Sequence, residues 1–277
     1  MQQVNEVVKG TGLGTRLTWG SNKCFDHKHY PEGVLTVVVD GIEKCPLCER
    51  ERLNKQLEQE FTEKAIEMER NKNYNTLYNR SILQDKTIAQ ARFENYRTDE
   101  PEAKRNFELM KQYASEILEG KIFNVLLYGT PGVGKSHLSY SLLYFVNEAK
   151  PKDKSCLFVD IDEMLRKIRD SFDNPESIFT EHYFTSLLSD VDVLVLDDLG
   201  AETGNEHTEK KASDFTGRIL RAVTNARQDK VTIVTTNLPG TQLNKMYDHK
   251  TLSRLSKKRR AITFTETSDK RKLDLGF

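Results

Sequence analysis

The octapeptide Gly129-Thr130-Pro131-Gly132-Val133-Gly134-Lys135-Ser136 constrains this chain more than any other feature. It fits G-x-x-x-x-G-K-[ST] and lies between an apolar strand pattern, FNVLLY, and a helical one, KSHLSYSLLYFVNEA. Glycines at those positions let the backbone turn successive N–H groups inward, toward the phosphates of a nucleoside triphosphate. Lys135 supplies a point charge for the terminal phosphates and the Ser136 hydroxyl a ligand for Mg²⁺. The helix expected over 135–148, with His137 in its first turn, directs its positive dipole end at the anion.

The pattern around the octapeptide is that of an α/β domain. Apolar strand candidates fall at 123–128, 155–160, 191–196, 230–235 and 261–264, with long helical segments between them. This alternation predicts a parallel sheet covered by helices on both faces. Ahead of it, residues 1–48 are short-stranded and turn-rich, with Asp40-Gly41 as a hairpin signal. Residues 49–85 read as a charged helix in which Leu53, Leu57 and Phe61, then Ala65 and Met68, form a narrow apolar stripe; a plain solvated linker reads equally well. Basic and acidic residues balance at 42 each, so no whole-molecule field draws the protein to nucleic acid and any such contact must be local. The N-terminus lacks signal-peptide character, and no apolar run reaches the ~20 residues that span a bilayer. A soluble, cytoplasmic protein without membrane contact is expected.

A phosphate cradle needs acidic partners on a neighbouring strand. VDVLVLDDLG ends a strand in Asp197-Asp198. The first carboxylate is placed to hold Mg²⁺ through water, and the second to orient or deprotonate an attacking water. A third strand, VTIVTTNL, ends at Asn237, either a turn residue or a polar group within reach of the γ-phosphate and that water.

Three of the four cysteines cluster near the start. CFDH and CPLC make two ligand pairs of identical spacing, so Cys24, His27, Cys45 and Cys48 suit tetrahedral Zn²⁺, with His29 a rival fourth ligand. A segment this small lacks a core, and metal would supply its folding energy. Cys156 stands alone in SCLFVDI and reads as a buried strand residue.

The ordered set NVLLYGTPGVGKSHLSYSL, VLVLDDLGAE, TIVTTNLP and LSRL resembles the AAA+ ATPases of the bacterial and phage helicase-loader group, the DnaC/DnaI type, and their relative IstB. ARFENYRT, ahead of the cradle, is similar to a segment those proteins carry. The resemblance covers residues 86–277 and implies an AAA+ P-loop domain binding ATP, preceded by a helical linker and a zinc-ribbon-like module. It implies that Asn237 is the sensor-1 residue and that Arg254 is an arginine finger reaching a neighbouring subunit in a homo-oligomer. Without the family, SRLSKKRR reads as a solvated basic helix end. The S-x-R cation expected after the last strand is replaced here by Lys270 and Arg271, leaving open which contacts the nucleotide. The loader group further implies that residues 1–48 bind a replicative helicase of the DnaB type and that the assembled domain takes single-stranded DNA. Lys167, Arg169 and Phe172 mix cationic and stacking groups suited to that strand, though the same residues serve equally as helix surface and core. An IstB-like transposition ATPase acting on double-stranded DNA is the alternative, and an adaptor inhibiting a host loader or helicase a further one.

Overall fold

The Asp40-Gly41 signal closes a hairpin. The two residues take φ of 51° and 79°, the left-handed conformation that a two-residue turn demands. They join β2 (Val34–Val39) to β3 (Ile42–Lys44), and β1 (Thr18–Cys24) completes a three-stranded antiparallel sheet with β2 in the middle. The structure, a computed structural model, describes residues 18–203 and 213–271. The chain divides into two compact units, Met1–Glu67 and Met68–Phe277. The first seventeen residues of the expected 1–48 module, and residues 272–277 of the expected ATPase domain, lie outside the described residues. Among the described residues of the first unit only Thr36 and Cys45 are buried. So thin a core cannot by itself offset the conformational entropy of folding.

Helix α1 (Pro46–Arg80) begins three residues earlier than the pattern suggested, with proline in its first turn, where a missing N–H is harmless. At 35 residues it extends about 50 Å. The division between units falls inside it, at Glu67–Met68, away from the expected boundaries at 48 and 85. Leu53, Leu57, Phe61 and Met68 are exposed along it. Its last turns belong to the second unit. There Leu77 is buried, and the Tyr74 and Tyr78 phenols donate to Glu148 at 2.8 and 2.6 Å.

The second unit is built on five parallel strands: β4 (Asn124–Gly129), β5 (Cys156–Asp160), β6 (Val193–Asp197), β7 (Val231–Thr236) and β8 (Arg259–Phe264). Their spatial order is β5-β6-β7-β4-β8. Alternate residues feed two cores, one on each face. Val125, Leu127, Phe158, Val195 and Ile233 pack on one side with α2 (Pro101–Leu118) and α3 (Lys135–Glu148). Leu157, Val159, Leu194, Leu196 and Val234 pack on the other with α4 (Ile161–Asp170), α5 (Glu181–Asp190), α6 (Asp214–Ala226) and α7 (Gly240–Met246). A short α8 (His249–Leu255) leads into β8. Cys156 is fully buried in β5 as expected.

Beyond β8 the chain is pinned to α2 by one carboxylate. Glu102 accepts from the backbone N–H groups of Thr265, Glu266 and Thr267 and from both threonine hydroxyls, at 2.6 to 3.0 Å. Burial pushes the Glu102 carboxyl up, but these bonds, led by the Thr267 hydroxyl, outweigh it and hold it at about 2. A depressed folded-state value means stability that is present above the ordinary value of 4.5 and is lost as pH falls toward 2. The Glu102→Gln protein is therefore expected to melt below wild type at neutral pH. The gap should close between pH 4.5 and 2, as followed by circular dichroism, and a gap independent of pH would contradict this account.

Candidate functional site

A cavity of about 600 Å³ opens at the carboxyl ends of β4 to β7, lined by Pro131, Gly132, Gly134, Lys135 and Ser136 of the octapeptide and by Asp160, Asp197, Asp198 and Asn237; Gly129 and Thr130 are not in its lining. Two glycines explain the loop's sequence. Gly132 and Gly134 hold φ of 85° and 95°, and each is crowded. A Cβ on Gly132 would lie 1.9 Å from an Asp269 oxygen, and one on Gly134 would lie 2.7 Å from the Tyr96 ring. The helix that follows, α3, starts at Lys135 as expected.

The buried Lys135 ammonium donates to the carbonyls of Gly129 and Thr130 at 2.7 and 2.9 Å and to Asn237 Oδ1 at 2.7 Å. The other end of the same amide donates to Asp198 Oδ1 at 3.3 Å. With a cation on one side and a carboxylate on the other, only this orientation of the amide is satisfied. Asp198 stands at φ 58°, outside the usual range for a residue with a side chain, and its N–H donates to Thr235 Oγ1 at 2.9 Å. That hydroxyl donates in turn to Asp197 Oδ1 at 2.6 Å. Burial pushes the Asp197 carboxyl up to about 7, against the opposing pull of the Thr235 and Ser136 hydroxyls. Lys135, Asn237, Asp198, Thr235 and Asp197 thus form a connected polar chain at the mouth of the cradle, with Ser136 near its Asp197 end. A buried carboxyl held this high is relieved by a divalent cation, so Ser136 and Asp197 fit Mg²⁺.

The roof of the cavity comes from residues 83–97 and the segment after β8. Ile82 pairs with the outer edge of β5, its N–H donating to Phe158 O at 2.8 Å, and so anchors this strap. The Tyr96 phenol donates to Val133 O at 3.3 Å, and the Lys270 ammonium sits 3.8 Å from the Tyr96 ring centroid while donating to the Arg97 carbonyl. The Lys270 N–H donates to Gly132 O at 3.1 Å. Lys270 and Arg271 both line the cavity. His137 lines it too; its Nε2 lies 3.0 Å from the Arg92 carbonyl, and burial lowers its pKa. Val133 instead packs into the core.

Arg254 lies elsewhere. Its carbonyl accepts from Asn124 at the start of β4, so it sits at the amino end of the sheet, opposite the cradle at the carboxyl end. Its Nη1 is buried without a hydrogen-bond partner. Lys167, Arg169 and Phe172 are also away from the cavity. Lys167 pairs with Glu163 at 3.4 Å and lies over the Phe179 ring, Arg169 is exposed, and the exposed Phe172 meets Phe215 edge-on.

In the first unit Cys24 ends β1, His27 follows in a turn, and Cys45 and Cys48 flank the start of α1. Their ligand atoms all lie within 4.8 Å of one another. Cys24 and Cys48 sulfurs are 3.7 Å apart, and His27 Nε2 is 3.3 and 3.2 Å from those of Cys45 and Cys48. Two thiolates at ~2.3 Å from one tetrahedral ion stand at about this separation, so the donor set fits Zn²⁺. The Glu51 carboxylate faces the remaining ring nitrogen of His27 at 3.5 Å, a contact that orients a ligating imidazole. His29 is exposed and outside the cluster.

The sequence reading missed three things here: Asp160, Thr235 and most of the strap. Asp160 ends β5 in register with Asp197 and caps α4 through Glu163 N–H at 2.8 Å. A polar residue closing a buried strand was the available signal, visible in FVDID and VTTN.

The sequence profile of the family described as "IstB-like ATP binding protein" matches residues 42–259. The chain is 30% identical over 115 residues to the replicative helicase loader DnaC of Escherichia coli (strain K12), a match covering 42% of this chain and 44% of that protein. It is equally close to the namesake from Buchnera aphidicola subsp. Schizaphis graminum, again 30% over 115 residues, covering 42% and 45%. The chain thus spans under half the length of these curated relatives. A crystal structure of the DnaC helicase loader aligns at a TM-score of 0.53 with 20% identity, covering 65% of this chain and all of that one. A crystal structure of DnaI aligns at 0.51 with 22% identity, covering 67% and 96%. These two establish the likeness of fold.

Removing the Lys135 ammonium by Lys135→Ala is expected to weaken ATP affinity about 10- to 100-fold, the scale of one charge-assisted hydrogen bond. Asp198→Asn should retain affinity and lose turnover. Equilibrium titration beside a phosphate-release assay checks both, and unchanged ATP affinity in Lys135→Ala would refute the assignment.

Proposed function

Because the chain belongs to the family of IstB-like ATP-binding proteins, a group of AAA+ ATPases, we propose that it is a cytoplasmic helicase loader that hydrolyses ATP when assembled. In this reading the domain from residue 86 onward is the ATPase, residues 49–85 link it, and residues 1–48 grip a replicative helicase of the DnaB type. Single-stranded DNA is taken up by the assembled domain, with Lys167, Arg169 and Phe172 as contacts. Among the described residues no helix is long and apolar enough to cross a membrane.

The chemistry follows from these polar contacts. Ser136 and Asp197 would hold Mg²⁺, which neutralises charge on the phosphates when bound. Lys135 meets the terminal phosphates, and leaves its contacts with the loop carbonyls to do so. Asp198 orients the attacking water and accepts its proton, while Asn237 holds the Asp198 carboxylate and the lysine at a fixed separation. Arg254 completes the site of a neighbouring protomer. In support, its backbone stands at the amino end of the sheet, away from its own cradle.

The observation that carries the loader reading over the transposition one is the Cys24, His27, Cys45, Cys48 cluster. A four-ligand structural zinc leaves no open position for chemistry, so the module presents a surface. We expect one Zn²⁺ per protomer, and Cys45→Ser should unfold residues 18–45 while leaving ATP binding intact. Metal analysis of protein purified without chelator, with no zinc found, would sink the assignment. A pull-down on the full chain, comparing wild type with Cys45→Ser, tests the partner: helicase retained by both proteins would break the link to the module.

The trans role of Arg254 has its own test. Arg254→Ala should bind ATP like wild type and lose about 10³-fold in turnover. Mixed with the equally inactive Asp198→Asn, it should regain part of the activity, because some interfaces then join an intact arginine to an intact carboxylate. Continued inactivity in mixtures that demonstrably assemble would place Arg254 outside the reaction.

A further inference from the structure

Asp197, which ends β6, and Asp198, which follows it, are assigned different tasks, yet successive residues continuing a strand would point to opposite sides. Something must turn the second back toward the cradle. The geometry points to Thr235 as a positioning residue for ATP hydrolysis, whose hydroxyl sets the backbone of Asp198 and the rotamer of Asp197 together. The inference rests on the proposed hydrolysis and deepens it.

Thr235 is fully buried in β7, the strand beside β6. The β6–β7 ladder is in regular register through Leu196 and Val234. Past that point Thr235 takes over with both its main chain and its side chain. Its carbonyl accepts the Leu199 N–H at 2.9 Å, and its hydroxyl accepts the Asp198 N–H at the same distance. Asp198 is thereby held from both sides in the left-handed conformation, which disfavours a residue with a Cβ and persists only where the surroundings enforce it. In that conformation the Asp198 carboxylate meets the Asn237 amide. The one proton of the same hydroxyl goes to Asp197 Oδ1 at 2.6 Å, committing that oxygen to the protein. With an amide N–H on one side and a carboxylate on the other, the hydroxyl's donor and acceptor roles are fixed, which valine cannot imitate despite its shape.

Three substitutions test this. Thr235→Val keeps the volume and removes both bonds; Thr235→Ser keeps both bonds and removes a methyl group. Turnover by Thr235→Val should fall about 100-fold, the usual consequence of misplacing a catalytic group by about 1 Å. Its equilibrium affinity for ATP should stay within about threefold of wild type, because Lys135 and the loop are untouched. Thr235→Ser should recover turnover to within about threefold of wild type on the same grounds. Because part of its action runs through Asp198, adding Thr235→Val to Asp198→Asn should cost clearly less than the about 100-fold it costs alone.

A readout independent of turnover is the hydrogen exchange of the Asp198 amide in the intact chain. It should be protected in wild type and Thr235→Ser, and exchange at least about tenfold faster in Thr235→Val. Wild-type turnover in Thr235→Val, a serine variant as impaired as the valine one, or a full about 100-fold further loss in the double variant would each overturn the role. A wild type that binds ATP but never turns it over would refute the proposed hydrolysis instead, and the exchange experiment would still decide whether Thr235 holds Asp198.

Discussion

The position of β7 between β4 and β6 is the constraint on which the second unit depends. A strand spacing of about 4.8 Å sets the cradle strand and the acidic strand nearly 10 Å apart. The intervening strand supplies the bridge. Asn237, just past its end, takes the lysine ammonium on one atom and the carboxylate on the other, and Thr235, two residues earlier, ties the acidic turn to the same strand. The gap that remains suits a terminal phosphate, a metal ion and a water. Folding a parallel sheet in this order places the reacting groups at one end, with their spacing set by backbone hydrogen bonds.

A second set of contacts holds the roof to the cradle. Glu102 gathers the chain after β8, Lys270 runs from Gly132 to the Arg97 carbonyl, and Tyr96 lies under its ammonium. The strap and the final segment come from distant parts of the chain, so neither would stay in place alone. Their meeting over Gly132 and Gly134 is why those positions exclude a Cβ as firmly as the phosphate geometry does.

The sequence disclosed the parts whose signal is local. The five strands fall within two residues of the apolar runs that announce them, and α3 spans 135–148 as its pattern indicates. The four candidate ligands were legible because three-residue spacing is a local property, and the structure brings Cys24, His27, Cys45 and Cys48 together while leaving His29 outside the cluster. Thr235 and Asp160 were not legible. Each reads as an ordinary strand residue, and its importance comes from a neighbour in another strand, 38 and 37 residues away, with which sequence spacing has no relation. The strap was half legible: ARFENYRT stood out as a segment, but not as a lid. The stripe on α1 was legible as a pattern, yet its residues are exposed, since a periodic pattern says which residues share a face and not what covers them.

The cradle and Arg254 occupy opposite ends of the same parallel sheet. Surfaces so disposed can meet only head to tail, a heterologous contact with polarity. In an open row, the pocket of one terminal protomer would face no arginine, and the arginine of the other would face no pocket. A row of n subunits would then have n − 1 complete sites, and a closed ring n. Specific activity would climb with row length and fall on dilution more steeply than concentration alone dictates. A short row would be nearly silent, and a strand long enough to carry many protomers would be its own activator.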